Sequence, residues 1–400
     1  MKVDGTRLAI GFHRACPPRE TLARVSPYLS RLGITRIARQ TDLDRIGIPV
    51  WCAYTPNAKA IVISQGKGLD DEAARASAVM EAIERSVATN PVCDVTTQSL
   101  RSLRSAGQSA TTLDCLLGQT ANPVELDEPI DWARASDLLT GGNVWVPFEA
   151  VHLDRTVASP RYWQSSDGLA SGNTLEEAIL HGLLERVERD ALTLWQVTSA
   201  ARRYGSRIEP ESIPNGELQE ILSRIRNAGQ DVALFDITSD LGIPCVAALL
   251  GPKEPCRAPP LRYVDVTLGA GSATSPVLAA ARAVTEAVQS RMTFISGARD
   301  DLMPETFNRV LHPETVAAFD ARPSRGLGDM PMLHVTSTAE AIRAILGRLQ
   351  AQGITEIYAV DITPQWLPVF VAKLLVPQLE NPEGERRQRY GNRALNKVFQ

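Results

Sequence analysis

The sequence predicts an α+β protein in which antiparallel sheets pack against helices. Three observations lead there. Helices with apolar periodicity recur at near-even intervals along the chain. Apolar, β-branched runs come in pairs joined by short turns, as IGIPVWCAY and AKAIVIS do around Thr55-Pro56-Asn57. A helix–strand–strand unit also occurs twice, first as 218–228, 231–238 and 244–251, then as 338–352, 356–363 and 368–377. Both copies carry Asp-Ile-Thr, at Asp236 and Asp361, and each Asp is read as a turn former at a strand end.

Taken in order, a helix is expected over 18–32, then the strand pair within 42–63. The Gly-rich SQGKG (Ser64 to Gly68) reads as a turn feeding a second helix. Residues 90–142 show no sharp period, apart from a loop and strand over 126–135. A strand over 143–151 leads to SSDGLASGNT, read as a Gly-rich turn with Asn173 as helix N-cap and Glu176 at the capping-box spacing. The helix continues toward Ala200, with Trp195 packed. A strand over 262–268 precedes GAGSATSP, which reads as the cap of another helix. Residues 297–335, with Asp300, Asp301 and several prolines, read as a loop-rich flap. The tail after Pro377, with Arg386, Arg387, Arg389 and Arg393, reads as a solvated segment, with packing through Tyr390 or contact with an acidic partner as the alternatives.

Composition excludes several classes. With 44% hydrophobic and 22% charged residues in 400, the chain is an ordinary globular one of one or more domains, divisible near residue 200. A net charge of −4 argues against a general nucleic-acid binder. No apolar run approaches the roughly 20 residues that span a bilayer, and the N-terminal apolar core is too short for a signal peptide. A cytoplasmic protein is expected. Cys16, Cys52, Cys93, Cys115, Cys245 and Cys256 show no zinc-ligand spacing, and no Ser/His/Asp triad can be argued. Neither Gly run is a Walker A loop or a GxGxxG fingerprint.

The chemistry lies in the helices. At about 100° per residue, Asn173, Glu177, Glu185, Glu188 and Arg189 share one stripe roughly 160° wide. Leu184, Ala191 and Leu192 interrupt it, so it is a poor solvated face; buried acids there need cations or donors. Glu81-x-x-Glu84-Arg85 repeats Glu185-x-x-Glu188-Arg189 at an offset of 104, and Glu286-x-x-Gln289 follows Glu185 by 101. The three helices are read as converging on one site, against the alternative of three surface helices with i, i+4 ion pairs. His181, one turn before Glu185, either touches that site or packs locally.

These motifs resemble the YcaO family, ATP-dependent enzymes that activate peptide backbone amides. The resemblance runs through His13-Arg14, LGITRIARQTDLDRIGIPV, SQGKGL, the three helices and PVFVAKLLVPQLE. The LGITR…DRIGIPV segment looks most like the subgroup associated with TfuA proteins and thioamide formation. The resemblance implies helices and antiparallel sheets around a central ATP cleft. Glu81, Glu84, Glu185 and Glu188 would hold Mg2+, each ion using one or two carboxylates plus phosphates and water. Arg189 and Arg282 would act on the phosphoryl group. Arg14, Lys67, Ser77, Arg85, Asn173, Glu177, Glu286 and Gln289 would bind ATP. Phe12 departs from the family pattern, where Thr is expected.

The implied reaction adds a nucleophile to an amide carbonyl, phosphorylates the resulting oxyanion and expels phosphate. External sulfide would give a thioamide; a neighbouring Cys, Ser or Thr would give an azoline. The absence of a Pro-x-Pro-x-Pro tail tilts the expectation toward thioamidation, with a TfuA-like or other partner delivering sulfur or peptide. A homodimer, a non-catalytic nucleotide-binding subunit and an accessory factor stay open.

Overall fold

The computed structural model describes residues 14–118, 121–214, 216–254, 260–297, 299, 301–381 and 390–399. Phe12, His13, Cys256, Asp300, Arg386, Arg387 and Arg389 lie outside the described residues.

Helix α1 (Pro18–Val25) precedes strands β1 (Arg36–Arg39), β2 (Val50–Tyr54) and β3 (Ile63–Lys67). Helix α2 (Asp71–Thr89), β4 (Val95–Ser99), α3 (Leu100–Ser105), β5 (Pro129–Asp137) and β6 (Asn143–Pro147) follow. The middle of the chain holds β7 (Leu169–Gly172), α4 (Leu175–Gln196), α5 (Ala200–Tyr204), α6 (Glu217–Asn227), β8 (Gln230–Asp236), β9 (Cys245–Pro252) and β10 (Thr267–Ser272). The last third holds α7 (Pro276–Ser296), α8 (Pro304–Asn308), α9 (Pro313–Ala317), α10 (Thr338–Ala351), β11 (Tyr358–Asp361), β12 (Phe370–Leu375) and α11 (Asn392–Val398).

The strands form three sheets among the described residues, ordered β1-β2-β3, β10-β9-β8 and β4-β5-β11-β12-β7, with β6 on β5. Every strand pair in them is antiparallel. This is the α+β architecture the sequence predicts. The repeated helix–strand–strand unit is present as α6-β8-β9 and α10-β11-β12. Helix α6 buries Leu218, Ile221, Leu222 and Ile225, the spacing of one apolar stripe. Asp236 and Asp361 each accept from the backbone N–H two residues on, as turn formers do. Trp195 packs against Tyr204 and Phe235.

Several local expectations give way. Parts of the Gly-rich runs, 64–67, 169–172 and 269–272, are strand rather than turn. Asp167-Gly168 forms the expected turn, and the end of GAGSATSP caps α7 through Ser275 as expected, while the strand glycines serve close packing, described below. The expected strand over 262–268 is a 3₁₀ turn at Tyr263–Asp265 followed by β10. Helix α4 starts one residue later than expected, because Thr174 is its N-cap and accepts from Glu177 N–H at 3.2 Å. Residues 304–330 are not a free flap: Leu311, Ala318, Phe319, Leu327 and Met330 are buried, and Arg207 donates to the carbonyls of Phe319 and Ala321. The tail is not merely solvated, since α11 docks on α4 through Arg393.

Three hydrophobic clusters hold the layers together, and each draws residues from both sides of residue 200. One joins Val25, Ile83 and Trp132 to Val360 and Val371. Another joins Ile46, Ile48 and Val50 to α6, α7 and β9. Each fully buried Leu, Ile or Phe contributes about 1.5–3 kcal/mol. No described helix is long and apolar enough to cross a membrane.

Candidate active site

The site is built from one module used three times: a Gly-bearing strand at a sheet edge, a capped turn and a long helix. The modules are β3-α2, β7-α4 and β10-α7. The caps are Asp70, Thr174 and Ser275, and each side chain accepts from the N–H three residues on. The glycines let each helix lie against its own strand. A Cβ on Gly66 would stand 2.0 Å from Ala78 N, on Gly172 2.5 Å from Glu177 Cβ, and on Gly269 2.2 Å from Ala283 O. No side chain fits between such surfaces.

Those close contacts place the acids. In each module the first Glu accepts from its own strand or the turn before it: Glu81 from Gln65 N–H at 3.0 Å, Glu185 from Gly168 N–H at 3.0 Å, and Glu286 from Ala270 N–H. The residue three further on reaches the strand of the next module. Glu84 accepts from Ser171 N–H at 2.8 Å and its hydroxyl at 2.7 Å, and Glu188 accepts from Ser272 N–H at 3.1 Å. Gln289 closes the ring by donating to the Gln65 carbonyl at 2.8 Å. The three helices therefore meet around a pseudo-threefold centre, as their spacing predicts.

Burial and neighbouring charges set the electrostatics of these acids. Burial first, then Glu81 and Glu185, pushes the Glu84 carboxyl up to about 8. Burial, with Asp167 and Glu188 adding to it, pushes Glu185 up to about 7, and burial with Glu286 raises Glu188. Glu286 differs. Burial opposes its charge, yet Lys67 and Arg189 hold it below the usual carboxylate range. Lys67 pairs with it directly, the two side chains 23% and 26% exposed.

Among the described residues no three His, Cys, Asp or Glu side chains form a ready-made metal cage. Each of the four predicted metal acids instead has one oxygen tied to a backbone N–H, with Glu84 close to Glu81 and Glu185, and Glu185 close to Glu188. That donor set fits Mg2+, which takes one or two carboxylates and completes its octahedron with water and phosphate oxygens.

The other predicted residues are also gathered here, in varied roles. Arg189 lies 3.6 Å from both Glu185 and Asp167, and Arg282 donates to the Ser272 carbonyl at 3.0 Å. Ser77, His181 and Arg282 occupy the same place in their helices, one turn before the first Glu. His181 meets Arg14 at 3.2 Å. Arg14 is exposed to solvent yet closely surrounded by protein, and this burial, followed by Arg282, lowers it to about 10. Arg85 is committed to Glu81 and the Ile63 carbonyl. Glu177 accepts from the N–H groups of Ala15 and Asn173, and Asn173 accepts from Thr21 at 3.0 Å. These last two fasten the segment before α1 to α4.

Sequence reasoning missed Asp167, Arg186 and Lys373. Asp167 is buried beside Arg189 and Arg186; burial opposes its charge, but the arginines hold it below the usual range. Lys373 donates to the carbonyls of Ser165 and Asp167 at 2.7 Å each, and burial lowers it to about 8. A lysine inside the apolar strand FVAKLL was the available signal, since a buried ammonium needs acceptors.

Comparisons with known proteins bear on the family and the fold. Residues 65–380 match the family model described as YcaO cyclodehydratase, ATP- and Mg2+-binding. An uncharacterized protein in the tfuA 3′ region of Rhizobium leguminosarum bv. trifolii is 39% identical over 96% of this chain and 93% of its own length. An uncharacterized protein of Methanothermobacter thermautotrophicus is 33% identical over 92% and 95%. Among solved structures, YcaO from Methanopyrus kandleri bound with AMPPCP and Mg2+ superposes with TM-score 0.72 at 24% identity, covering 95% of each chain. A heterocyclase in complex with substrate and cofactor gives TM-score 0.75 at 20% identity, covering 92% of this chain and about half (53%) of that one. A family match spanning most of the sequence, on a fold shared with these structures, establishes that the chain belongs to the YcaO family of ATP- and Mg2+-binding proteins.

Proposed function

We propose that this protein uses ATP and Mg2+ to phosphorylate the carbonyl oxygen of a peptide backbone amide, and that the activated amide takes up sulfur to give a thioamide. The observation that carries the specific product is the 39% identity, along nearly the whole chain, to a protein in a tfuA 3′ region. In this reading Glu81 with Glu84, and Glu185 with Glu188, hold Mg2+. Bound Mg·ATP supplies the electrophilic phosphorus that turns the carbonyl oxygen into a leaving group. Arg189 and Arg282 bind and orient the phosphoryl oxygens. Asp167 keeps the Arg189 guanidinium at the ring, while Arg14, Ser77 and Gln289 line the nucleotide's approach. Lys67, held by Glu286, offsets the acids. No protein nucleophile is required, and the work is positioning and charge stabilisation.

A second reading, azoline formation from a Cys, Ser or Thr peptide, is favoured by the family's cyclodehydratase description and by the heterocyclase likeness. The partner is a peptide or protein substrate, with a TfuA-like protein delivering sulfur or peptide, in the cytoplasm.

The test is mass spectrometry of candidate peptides incubated with the chain, ATP, Mg2+ and sulfide, with and without a TfuA-like partner. Replacement of one oxygen by sulfur supports thioamidation. Loss of one water supports the azoline reading. Unchanged peptides with partner present, and no phosphate release, sink both and leave a nucleotide-binding subunit.

A further inference from the structure

The metal-bearing helix α4 has two polar faces along its second half. Glu185, Glu188 and Arg189 look into the ring. Arg186 and Asp190, one residue after Glu185 and Arg189, look the other way and meet the C-terminal segment. Arg186 donates to the carbonyls of Leu379 at 3.0 Å and Glu380 at 3.1 Å. Asp190 is fully buried and accepts from Glu380 N–H at 3.0 Å. Arg393, from α11, completes it with two donors at 2.9 and 2.8 Å, a bidentate pair, and reaches Asp240 as well. The Glu380 carboxylate in turn accepts from Gly391 and Ala394 N–H at 2.9 and 3.0 Å, which fixes the start of α11.

These contacts continue to the site. Asn381 donates to Asp167, and Arg186 stands 3.9 Å from it. Asp167 is 3.6 Å from Arg189. A continuous polar connection thus runs from Arg393 through Asp190 and the 379–381 backbone to Asp167 and the catalytic candidate Arg189. Its middle is buried, while the two end side chains are partly exposed, Arg393 by 14% and Arg189 by 22%.

We infer that the C-terminal helix is a latch for the nucleotide–metal site, and that Arg393 is a positioning residue for Glu188 and Arg189. Arg393 touches no nucleotide. It fixes Asp190 and the 379–381 backbone, and these set the angle and height at which α4 presents its acids to the strand of the next module. Bidentate geometry matters, because a lysine reaches only one oxygen at a time. The inference rests on Glu185 and Glu188 being the metal ligands.

The test titrates AMPPCP with Mg2+ into the full chain, wild type against Arg393→Ala, Arg393→Lys, the charge-free pair Asp190→Asn with Arg393→Met, and Glu188→Ala. Melting of each ligand-free chain is measured in parallel. Arg393→Ala is expected to weaken binding by about tenfold or more, the scale of lost outer-shell support. Arg393→Lys should recover part of it. The charge-free pair removes the buried charge with its partner, so it should fold even where Arg393→Ala does not, and still bind weakly. A charge-free pair that binds like wild type overturns the latch and leaves α11 as packing alone. Glu188→Ala separates the two claims. If it binds like wild type, the metal assignment falls and the latch with it; if it loses binding while the Arg393 variants do not, only the latch falls.

Discussion

The junctions α2–β7 and α4–β10 differ from the third, α7–β3, although all three share one backbone plan. In the first two, a Glu crosses to accept from the N–H of a serine, Ser171 or Ser272. In the third, Gln289 donates to a carbonyl, and Lys67 pairs with Glu286. Lys67 occupies the strand position that Ser171 and Ser272 occupy in the other modules. The first glutamate of every module has a cation beside it, Arg85 for Glu81, Arg189 for Glu185 and Lys67 for Glu286. The junctions therefore differ in the residue three further on: an acid, Glu84 or Glu188, in two and the neutral Gln289 in the third. Under the proposed function, the two junctions with a second acid are the metal positions and the junction with Gln289 is not, although all three share the backbone plan. Carboxylates crowded by burial and by each other favour a cation, whereas a carboxylate beside an ammonium is already compensated.

The sharpest break of this comparison is removal of one acid against removal of Gln289. Glu84→Ala and Glu188→Ala should each lower Mg2+-dependent AMPPCP affinity by more than the roughly 10–100-fold typical of outer-shell losses. Gln289→Ala should cost less than either, and calorimetric titration compares them. Next come the glycines that let the modules close. Gly66→Ala puts a Cβ 2.0 Å from backbone and should destabilise the chain by about 3 kcal/mol or more in urea unfolding. Gly347→Ala, in α10 with nothing within 4 Å, should instead stabilise it by about 1 kcal/mol or less.

Converting the third junction sharpens the comparison further. Lys67→Ser with Gln289→Glu reproduces the acid type and should raise the number of Mn2+ bound per chain, read by electron paramagnetic resonance; an unchanged number would mean that more than local charge selects the metal positions. The gentlest test is pH. Glu84 is raised to about 8 and Glu185 to about 7, above the unfolded value of about 4.3. Between those values the unfolded chain has lost protons that the folded chain keeps. This contribution to stability is therefore full below about pH 4.3 and is lost as pH rises through about 7–8. Metal binding needs the charged carboxylates, so Mg2+ affinity should rise over the same window. Melting curves with and without Mg·AMPPCP, taken across it, should diverge as pH increases.

Local sequence settled much of this molecule. The helices, their acid stripes and their near-equal spacing were legible, because helical periodicity and capping are written within a few residues. So were the repeated helix–strand–strand units and the antiparallel class. The Gly-rich runs fold only in part as the turns they signal, Asp167-Gly168 among them, for an equally local reason. Glycine signals a turn by its backbone freedom, yet at Gly66, Gly172 and Gly269 it is present because a helix approaches too closely for any Cβ. Only the tertiary fold decided which backbone N–H each glutamate would meet, that Lys67 would be matched to a residue 219 positions away, and that Asp190 would be held by Arg393 across 203. Backbone donors have no identity in sequence, and ion pairs over such distances leave no periodic trace. Which charge each acid meets therefore appears only when the three modules are folded together.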